Sequence, residues 1–319
     1  MTPPDPRVAQ AVQMFQAGRQ GEAVLALNQL GAAGHGEAIR ILGELRWSGQ
    51  IDPSPSAGRS LFEKAEQAGD LQARYYVTNL LGSGIAGRRD WVGALDRLAK
   101  EGRADPARAR AAKLVAAMKL DGDGNPRQTS IGDIVSETPH VVRHRRLFTD
   151  TECAYVLGVA KAGYGPSVVY DSQRRLVRDP IRSSDGSTLH WLIEDPAIHA
   201  LNRRIAAASG SEAERGEAVQ VLRYEPGQEY KAHFDFVPNA DNQRHLTALV
   251  WLSNDYRGGE TAFLRTGLEI SGKRGDAIVF RNSLPDGRMD PLTEHAGRPV
   301  TKGTKYLYSR WIRERRWAP

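Results

Sequence analysis

The chain holds one cysteine, Cys153, in 319 residues, so it closes no internal disulfide and its fold must rest on packing. A single thiol of this kind reads as a small apolar packing residue in a reducing compartment. No apolar run reaches the length that crosses a bilayer, and the opening Met1-Thr2-Pro3-Pro4-Asp5-Pro6-Arg7 has no apolar h-region. Membrane-spanning classes are thereby excluded, and a cytoplasmic location is the expectation. Aromatic residues make up 7% of the chain, and neither sign of charge dominates: 44 Lys and Arg stand against 38 Asp and Glu, a net charge of +6. The basic residues are interleaved with acids, and the densest clusters, Arg143–Arg146, Arg174-Arg175 and Arg313–Arg316, are short. Nucleic acid is not an expected partner. There is no His-Glu-x-x-His pattern, so nothing suggests a zinc hydrolase.

Residues 1–120 read as helices, because Ala, Leu, Arg, Glu and Gln dominate and Gly recurs where helices would end. Gly36-Glu37-Ala38 is echoed by Leu71-Gln72-Ala73, and Ser48-Gly49 by Ser83-Gly84. Ala65-Glu66-Gln67-Ala68-Gly69 has a looser echo in Ala99-Lys100-Glu101-Gly102. A period of about 35 residues is the mark of stacked helix pairs, each too small to bury its own apolar face. The segment resembles Sel-like repeats, relatives of tetratricopeptide repeats, in about three copies, the first and last degraded. Such an array either offers a concave surface to a protein partner or serves only as a packing layer. Residues 121–138 read as a linker. Asp121-Gly122-Asp123-Gly124-Asn125 begins like a calcium loop, but Pro126 stands where the loop needs Gly and Gly132 where it needs a bidentate Glu.

From 139 to 319 the chain turns strand-rich. Thr149-Asp150-Thr151-Glu152 opens a helix to about Lys161, the stretch 165–188 is polar, and a helix over Asp195–Ala208 is expected to back a sheet. Val219–Tyr224, Leu246–Leu252 and Gly275–Arg281 are the clearest strands, and Pro226-Gly227 and Gly258-Gly259 mark turns. Many short strands divided by turns argue for a sandwich or barrel. Within Ala232–Phe236, read as one strand, alternation sets His233 and Asp235 on one face and the two Phe side chains on the other. Such a pair alone arises often by chance and usually marks a solvated turn or a structural hydrogen bond. His295, far downstream, supplies a third ligand, and two His with one carboxylate make the facial triad of non-haem Fe(II) oxygenases. Alternation in Lys305–Trp311 sets Lys305, Leu307, Ser309 and Trp311 on one face and Arg310 on the other. An inward lysine needs an anionic partner, for which a dicarboxylate cosubstrate would serve, and Trp311 would line the pocket floor. His190, His199 and His245 lack partners at ligand spacing.

Residues from about Pro139 to Trp317 resemble the catalytic domain of the prolyl 4-hydroxylase family of 2-oxoglutarate- and Fe(II)-dependent oxygenases. The matching motifs are Tyr224–Asp235, Gly258–Phe263, Gly275–Phe280, then His295 with Lys305, and Trp311–Arg315. The resemblance implies an α+β chain of two domains, a helical repeat array followed by a double-stranded β-helix, or jelly-roll. It implies that His233, Asp235 and His295 bind Fe(II), that Lys305 pairs with the distal carboxylate of 2-oxoglutarate, and that Tyr224 and Thr247 help hold that cosubstrate. Arg182 and Ser184 match an Arg-x-Ser element that contacts substrate. Tyr230 is a further candidate contact, although an aromatic of this kind, like Trp251, is more often a core residue. The implied reaction uses O2 to hydroxylate a protein or peptide, first of all at a prolyl residue, while 2-oxoglutarate is decarboxylated to succinate; ascorbate supports such activity. The same chemistry on another side chain or a free amino acid would keep every one of these residues. A non-catalytic scaffold would be expected to lose a ligand or Lys305, and this chain keeps them all.

Overall fold

The computed structural model describes residues 5–170 and 176–317. The basic pair Arg174-Arg175, within the polar stretch 165–188, lies outside the described residues. By its internal contacts the chain divides into two compact units. One takes the chain through Lys113 together with Trp191–Pro196, and the other takes Leu114–His190 and Ala197–Trp317.

The first unit is helical: α1 (Pro6–Gln16), α2 (Gln20–Ala32), α3 (Gly36–Trp47), α4 (Pro55–Gln67), α5 (Leu71–Ser83), α6 (Trp91–Glu101) and the start of α7 (Pro106–Ala117). Side-chain caps begin several of these helices. Asp5 accepts from the Arg7 amide ahead of α1, Ser54 from Ala57 ahead of α4, Asp70 from Ala73 ahead of α5, and Asp90 from Gly93 ahead of α6. A left-handed glycine follows each of the first five, at Gly18, Gly34, Gly49, Gly69 and Gly84. Each of α1 to α5 packs on the next. Val8, Leu27, Leu42 and Leu45 form one core cluster. Trp47, Phe62, Tyr76, Val77 and Leu80 form another, with Leu192 packed among them. Phe62 is its centre, with ring centroids 6.0 Å from Trp47 and 5.2 Å from Tyr76.

The second unit is built on strands. The first eight are β1 (Asp133–Glu137), β2 (His140–His144), β3 (Gly165–Pro166), β4 (Val168–Tyr170), β5 (Leu176–Arg178), β6 (Asp185–Leu189), β7 (Val219–Tyr224) and β8 (Tyr230–His233). The second eight are β9 (Arg244–Trp251), β10 (Tyr256–Gly258), β11 (Thr261–Phe263), β12 (Leu268–Ile270), β13 (Ala277–Arg281), β14 (His295–Gly297), β15 (Val300–Gly303) and β16 (Lys305–Arg313). An eight-stranded sheet runs β1-β2-β13-β9-β16-β7-β6-β3, and a four-stranded sheet runs β12-β11-β14-β8. The apolar strand β9 is central, as its composition demands. Leu222, Leu249, Phe280 and Leu307 from the large sheet share one core with Phe263 and Ile270 from the small one, so the two sheets pack face to face. Helices α8 (Asp150–Ala160), whose Thr149 and Glu152 form a full capping box, and α9 (Pro196–Ala208) complete the layer. From α9, Asn202 Oδ1 accepts the Tyr308 hydroxyl of β16 at 2.6 Å, so this helix backs the large sheet.

Two segments carry more structure than their composition suggests. The stretch 165–188, polar enough to read as a surface excursion, contributes β6, which pairs along the length of β7. The stretch 121–138, read as a linker, contains β1 at the edge of the large sheet. Its acidic turn is self-contained: Asp121 Oδ1 accepts the amides of Asp123 and Asn125 at 2.9 and 2.8 Å, which is an Asx-type turn.

Phe62 is fully buried between Trp47 and Tyr76, so Phe62→Ala removes the centre of its cluster. Urea unfolding followed by hydrogen exchange over α3 to α5 is expected to show a loss of about 3–5 kcal/mol.

Candidate metal centre and active site

Strand β8 ends at His233 and β14 begins at His295, and the two residues face each other in register. Ahead of His295, Pro291–Thr293 form a 3₁₀ turn, so among the described residues no strand pairs with Phe234–Phe236. The reading of Ala232–Phe236 as one strand is therefore corrected. The chain bends after His233, and this bend rather than strand alternation brings Asp235 inward. The outcome is a compact donor set, with one ligand atom from each of His233, Asp235 and His295 within 4.8 Å of the others. His233 Nε2 lies 3.8 Å from Asp235 Oδ1, and His295 Nε2 lies 3.7 Å from Asp235 Oδ2.

Backbone carbonyls decide the tautomers. A carbonyl only accepts, so Nδ1 of His233 donates to Lys231 O at 2.7 Å and Nδ1 of His295 to Thr293 O at 2.9 Å. Each Nε2 lone pair is left for a cation. Burial, and then the neighbouring His295, push the His233 pKa down to about 4 against the pull of Asp235, which keeps the imidazole neutral at pH 7. Burial works to raise the Asp235 pKa, but His295, His233, Arg244 and the Thr247 hydroxyl outweigh it and hold the carboxyl below its usual range. Phe263 and Phe280 enclose His295, with centroids at 5.8 and 5.0 Å. Tyr230 stacks on His233 at 3.5 Å.

The three ligands share one cavity with Lys305, Leu307, Ser309 and Trp311, the inward face of β16, and with Tyr224, Tyr230 and Arg182. Lys305 is 3% exposed. Its ammonium donates to Gly259 O at 2.6 Å and, among the described residues, no carboxylate lies within ion-pair distance. Burial pushes its pKa down to about 8, with Glu260 pulling the other way. Gly258 and Gly259 both have φ of +71°, and a Cβ on Gly259 would stand 3.1 Å from Lys305 Cδ. The turn that delivers this carbonyl thus needs glycine twice. Tyr224 is buried, its pKa pushed up to about 12 by burial, and its ring centroid lies 5.5 Å from Lys305 Nζ.

Two residues expected at the cosubstrate or substrate stand one layer back. Thr247 does not line the cavity; its hydroxyl donates to Asp235 Oδ2 at 2.7 Å, so its contact is with the metal ligand. Ser184 is fully buried and hydrogen-bonds Tyr224 and Ser167. Arg182 does reach the cavity, with Nη1 donating to Gln220 at 3.0 Å, Nε 3.4 Å from Asp179, and the guanidinium 5.2 Å from the Tyr230 ring centroid. Arg310 points away, to the carbonyls of Glu217 and Ala213. His245 bonds Ser283 at 3.1 Å. Arg244, Asp179 and Asn282 were not legible as site residues. Arg244 stacks at 3.8 Å on Trp311 and pairs with Glu217 at 2.7 Å, a contact that follows from register and leaves no motif.

Residues 219–313 match the 2OG-Fe(II) oxygenase superfamily. Prolyl 4-hydroxylase 1 of Arabidopsis thaliana is 33% identical over 203 residues, which cover 57% of this chain and 72% of that protein. The chain belongs to the prolyl 4-hydroxylase family of 2-oxoglutarate- and Fe(II)-dependent oxygenases. Probable prolyl 4-hydroxylase 4 of the same plant is 32% identical over 205 residues, 56% of this chain and 68% of that protein. Among solved structures, the 2-oxoglutarate complex of the viral collagen prolyl hydroxylase from Paramecium Bursaria Chlorella virus-1 is 28% identical, covers 56% of this chain and 98% of that one, and has a TM-score of 0.46. The family uses Fe(II), 2-oxoglutarate and O2, and the residues present fit them. Two imidazoles that each leave Nε2 free and a carboxylate suit Fe(II), and a buried ammonium with no carboxylate at ion-pair distance among the described residues suits a dicarboxylate.

The lysine also yields a stability test, independent of any ligand. A pKa of about 8 in the folded chain against the ordinary 10.5 means that the unfolded chain binds the extra proton between those values. Its folding penalty is therefore full below pH 8 and relieved as pH rises from about 8 to 10.5. Metal-free Lys305→Met is expected to be more stable than wild type at pH 7, by on the order of 3 kcal/mol, and to lose the rise in stability across that window in urea titrations.

Proposed function

We propose that the chain hydroxylates a prolyl residue of a protein or peptide. The observation that carries this reading is the meeting of the two-His, one-carboxylate set and buried Lys305 in one cavity. His233, Asp235 and His295 would hold the iron, Lys305 would anchor the distal carboxylate of 2-oxoglutarate, and Tyr224 would stand beside it. When bound, iron and cosubstrate supply oxidative hydroxylation of a C–H bond, with release of succinate and carbon dioxide. The protein's share is position and exclusion. Leu222, Leu249, Leu307 and Trp311 wall the cavity with apolar surface and keep water from the reacting centre. Arg182, fixed between Asp179, Gln220 and Tyr230, would orient the substrate, with Tyr230 beneath it. The Arabidopsis thaliana relative is a prolyl 4-hydroxylase by name, which favours proline over other side chains.

The two sheets that share a core would form the family's double-stranded β-helix across 139–319. For residues 1–120 the repeat reading is supported by equivalent positions at the sequence period. Left-handed Gly34 and Gly69 correspond, as do Gly49 and Gly84, and Ala38 and Ala73 are both fully buried. A groove in this unit, lined by Leu71, Arg74, Tyr75, Arg97 and Lys100 among others, is where a protein substrate would be recruited. No described helix is long and apolar enough to cross a membrane, and the buried thiol of Cys153, its pKa pushed up to about 11 by burial, suits a cytoplasmic setting.

The test is succinate formation from 2-oxoglutarate with Fe(II), ascorbate and O2, with and without a proteome-derived peptide mixture. Turnover is expected to rise with peptides, to vanish in His233→Ala, and to leave a prolyl residue heavier by roughly 16 Da, the mass of one oxygen atom. In Lys305→Met, KM for 2-oxoglutarate is expected to rise roughly ten- to hundredfold, the worth of a hydrogen bond to a charged group. Peptide-stimulated turnover with the added oxygen on another residue type would overturn the prolyl assignment.

A further inference from the structure

Behind Asp235, two buried polar side chains make a chain of hydrogen bonds that ends on the metal ligand. Asp235 Oδ2 accepts from Thr247 Oγ1 at 2.7 Å, and since a carboxylate only accepts, the hydroxyl proton is committed there. Thr247 Oγ1 is left with lone pairs, and Asn282 Nδ2 donates to it at 3.0 Å. Thr247 is 1% and Asn282 0% exposed, so solvent does not compete for either. The backbone pins both residues. Thr247 pairs in register with Phe280 across β9 and β13, while Asn282 donates its amide to His245 O at 2.9 Å and accepts from the Asp290 amide at 3.2 Å. The other carboxylate oxygen, Oδ1, receives no hydrogen bond among the described residues and faces His233 Nε2 at 3.8 Å.

We propose that Thr247 and Asn282 are positioning residues of the metal centre, which commit Asp235 Oδ2 to a charge-assisted hydrogen bond and leave Oδ1 as the single donor oxygen to the ion. The inference rests on the metal-centre reading above and adds what sets the mode of ligation. A carboxylate that chelated through both oxygens would occupy a coordination position that cosubstrate and dioxygen require. Asn282 acts through Thr247. Its Nδ2 can only donate and lies at 3.0 Å, while its Oδ1, a competing acceptor for the hydroxyl proton, lies farther off at 3.4 Å, so the side chain favours the hydroxyl rotamer that points to Asp235 at 2.7 Å. Asn282→Asp is nearly isosteric but reverses this, because a carboxylate at 282 competes with Asp235 for the same hydroxyl proton.

The experiment measures Mn(II) affinity of the metal-free protein by the electron paramagnetic resonance of free Mn(II), and the visible absorption of the Co(II)-loaded protein, whose band intensity follows coordination number. Thr247→Val and Asn282→Asp are expected to weaken Mn(II) binding by about 10–100-fold, the usual consequence of losing an outer-shell partner, and to change the Co(II) spectrum. Thr247→Ser keeps the hydroxyl and is expected to stay within about twofold of wild type. Wild-type affinity and an unchanged Co(II) spectrum in both Thr247→Val and Asn282→Asp would overturn the proposal while leaving the metal centre standing. Wild type binding Mn(II) no better than His233→Ala would instead remove the metal centre itself, and the proposal with it. Should Asn282→Asp lose its fold by circular dichroism, the comparison of Val with Ser at 247 decides alone.

Discussion

The pairing of β8 with β14 is the constraint on which the site depends. It sets His233 across from His295, ends β8 where its partner ends, and so forces the bend that carries Asp235 inward. The neighbouring pairing of β11 with β14 places Phe263 opposite the same histidine, and the large sheet contributes Phe280 from behind. The His295 imidazole is thereby held between apolar walls that belong to different sheets. Shifting this register by one residue would turn one of the two rings to the opposite face from the other, so the juxtaposition of the two histidines and the shared core of the two sheets depend on the same strand pairing.

That core also supports what the site takes away from stability. Lys305 carries an ammonium into a space where, among the described residues, Gly259 O is its one hydrogen-bond acceptor, and Gly258 and Gly259 hold left-handed backbone to bring that carbonyl close. Arg182 and Asp179 are buried as a pair, which is stabilising only while both members remain. The desolvated Lys305 lowers the stability of the unliganded chain and is offset by Trp251, Phe263, Phe280 and the leucines around them, all buried. Local rules are broken where a ligand of opposite charge would complete them. On this view the depressed pKa values of Lys305 and His233 are two results of one cause, the removal of solvent around them.

What the sequence made legible follows from which physical quantity carries each feature. Alternation along Lys305–Trp311 placed Lys305, Leu307, Ser309 and Trp311 on the cavity face because a strand's period is short and strict. The helices of the first unit were visible in their caps and glycines, and the His233, Asp235 and His295 set, which could hold a metal ion, in its residue types. Alternation failed at Asp235, where the strand had no partner to continue against; that information lies in the turn before His295, far along the chain. It failed again at β6, whose polar composition hides its pairing with β7. Thr247 illustrates the deeper limit. It was recognised as belonging to the site, yet its role depends on which atom its hydroxyl proton faces, and that is set by the register of β9 with β13 and by Asn282 beyond it. Residue type says that a hydroxyl can donate; only packing says to what. The outer layer of a metal centre is therefore least visible in sequence, although it decides how many oxygens of Asp235 reach the ion.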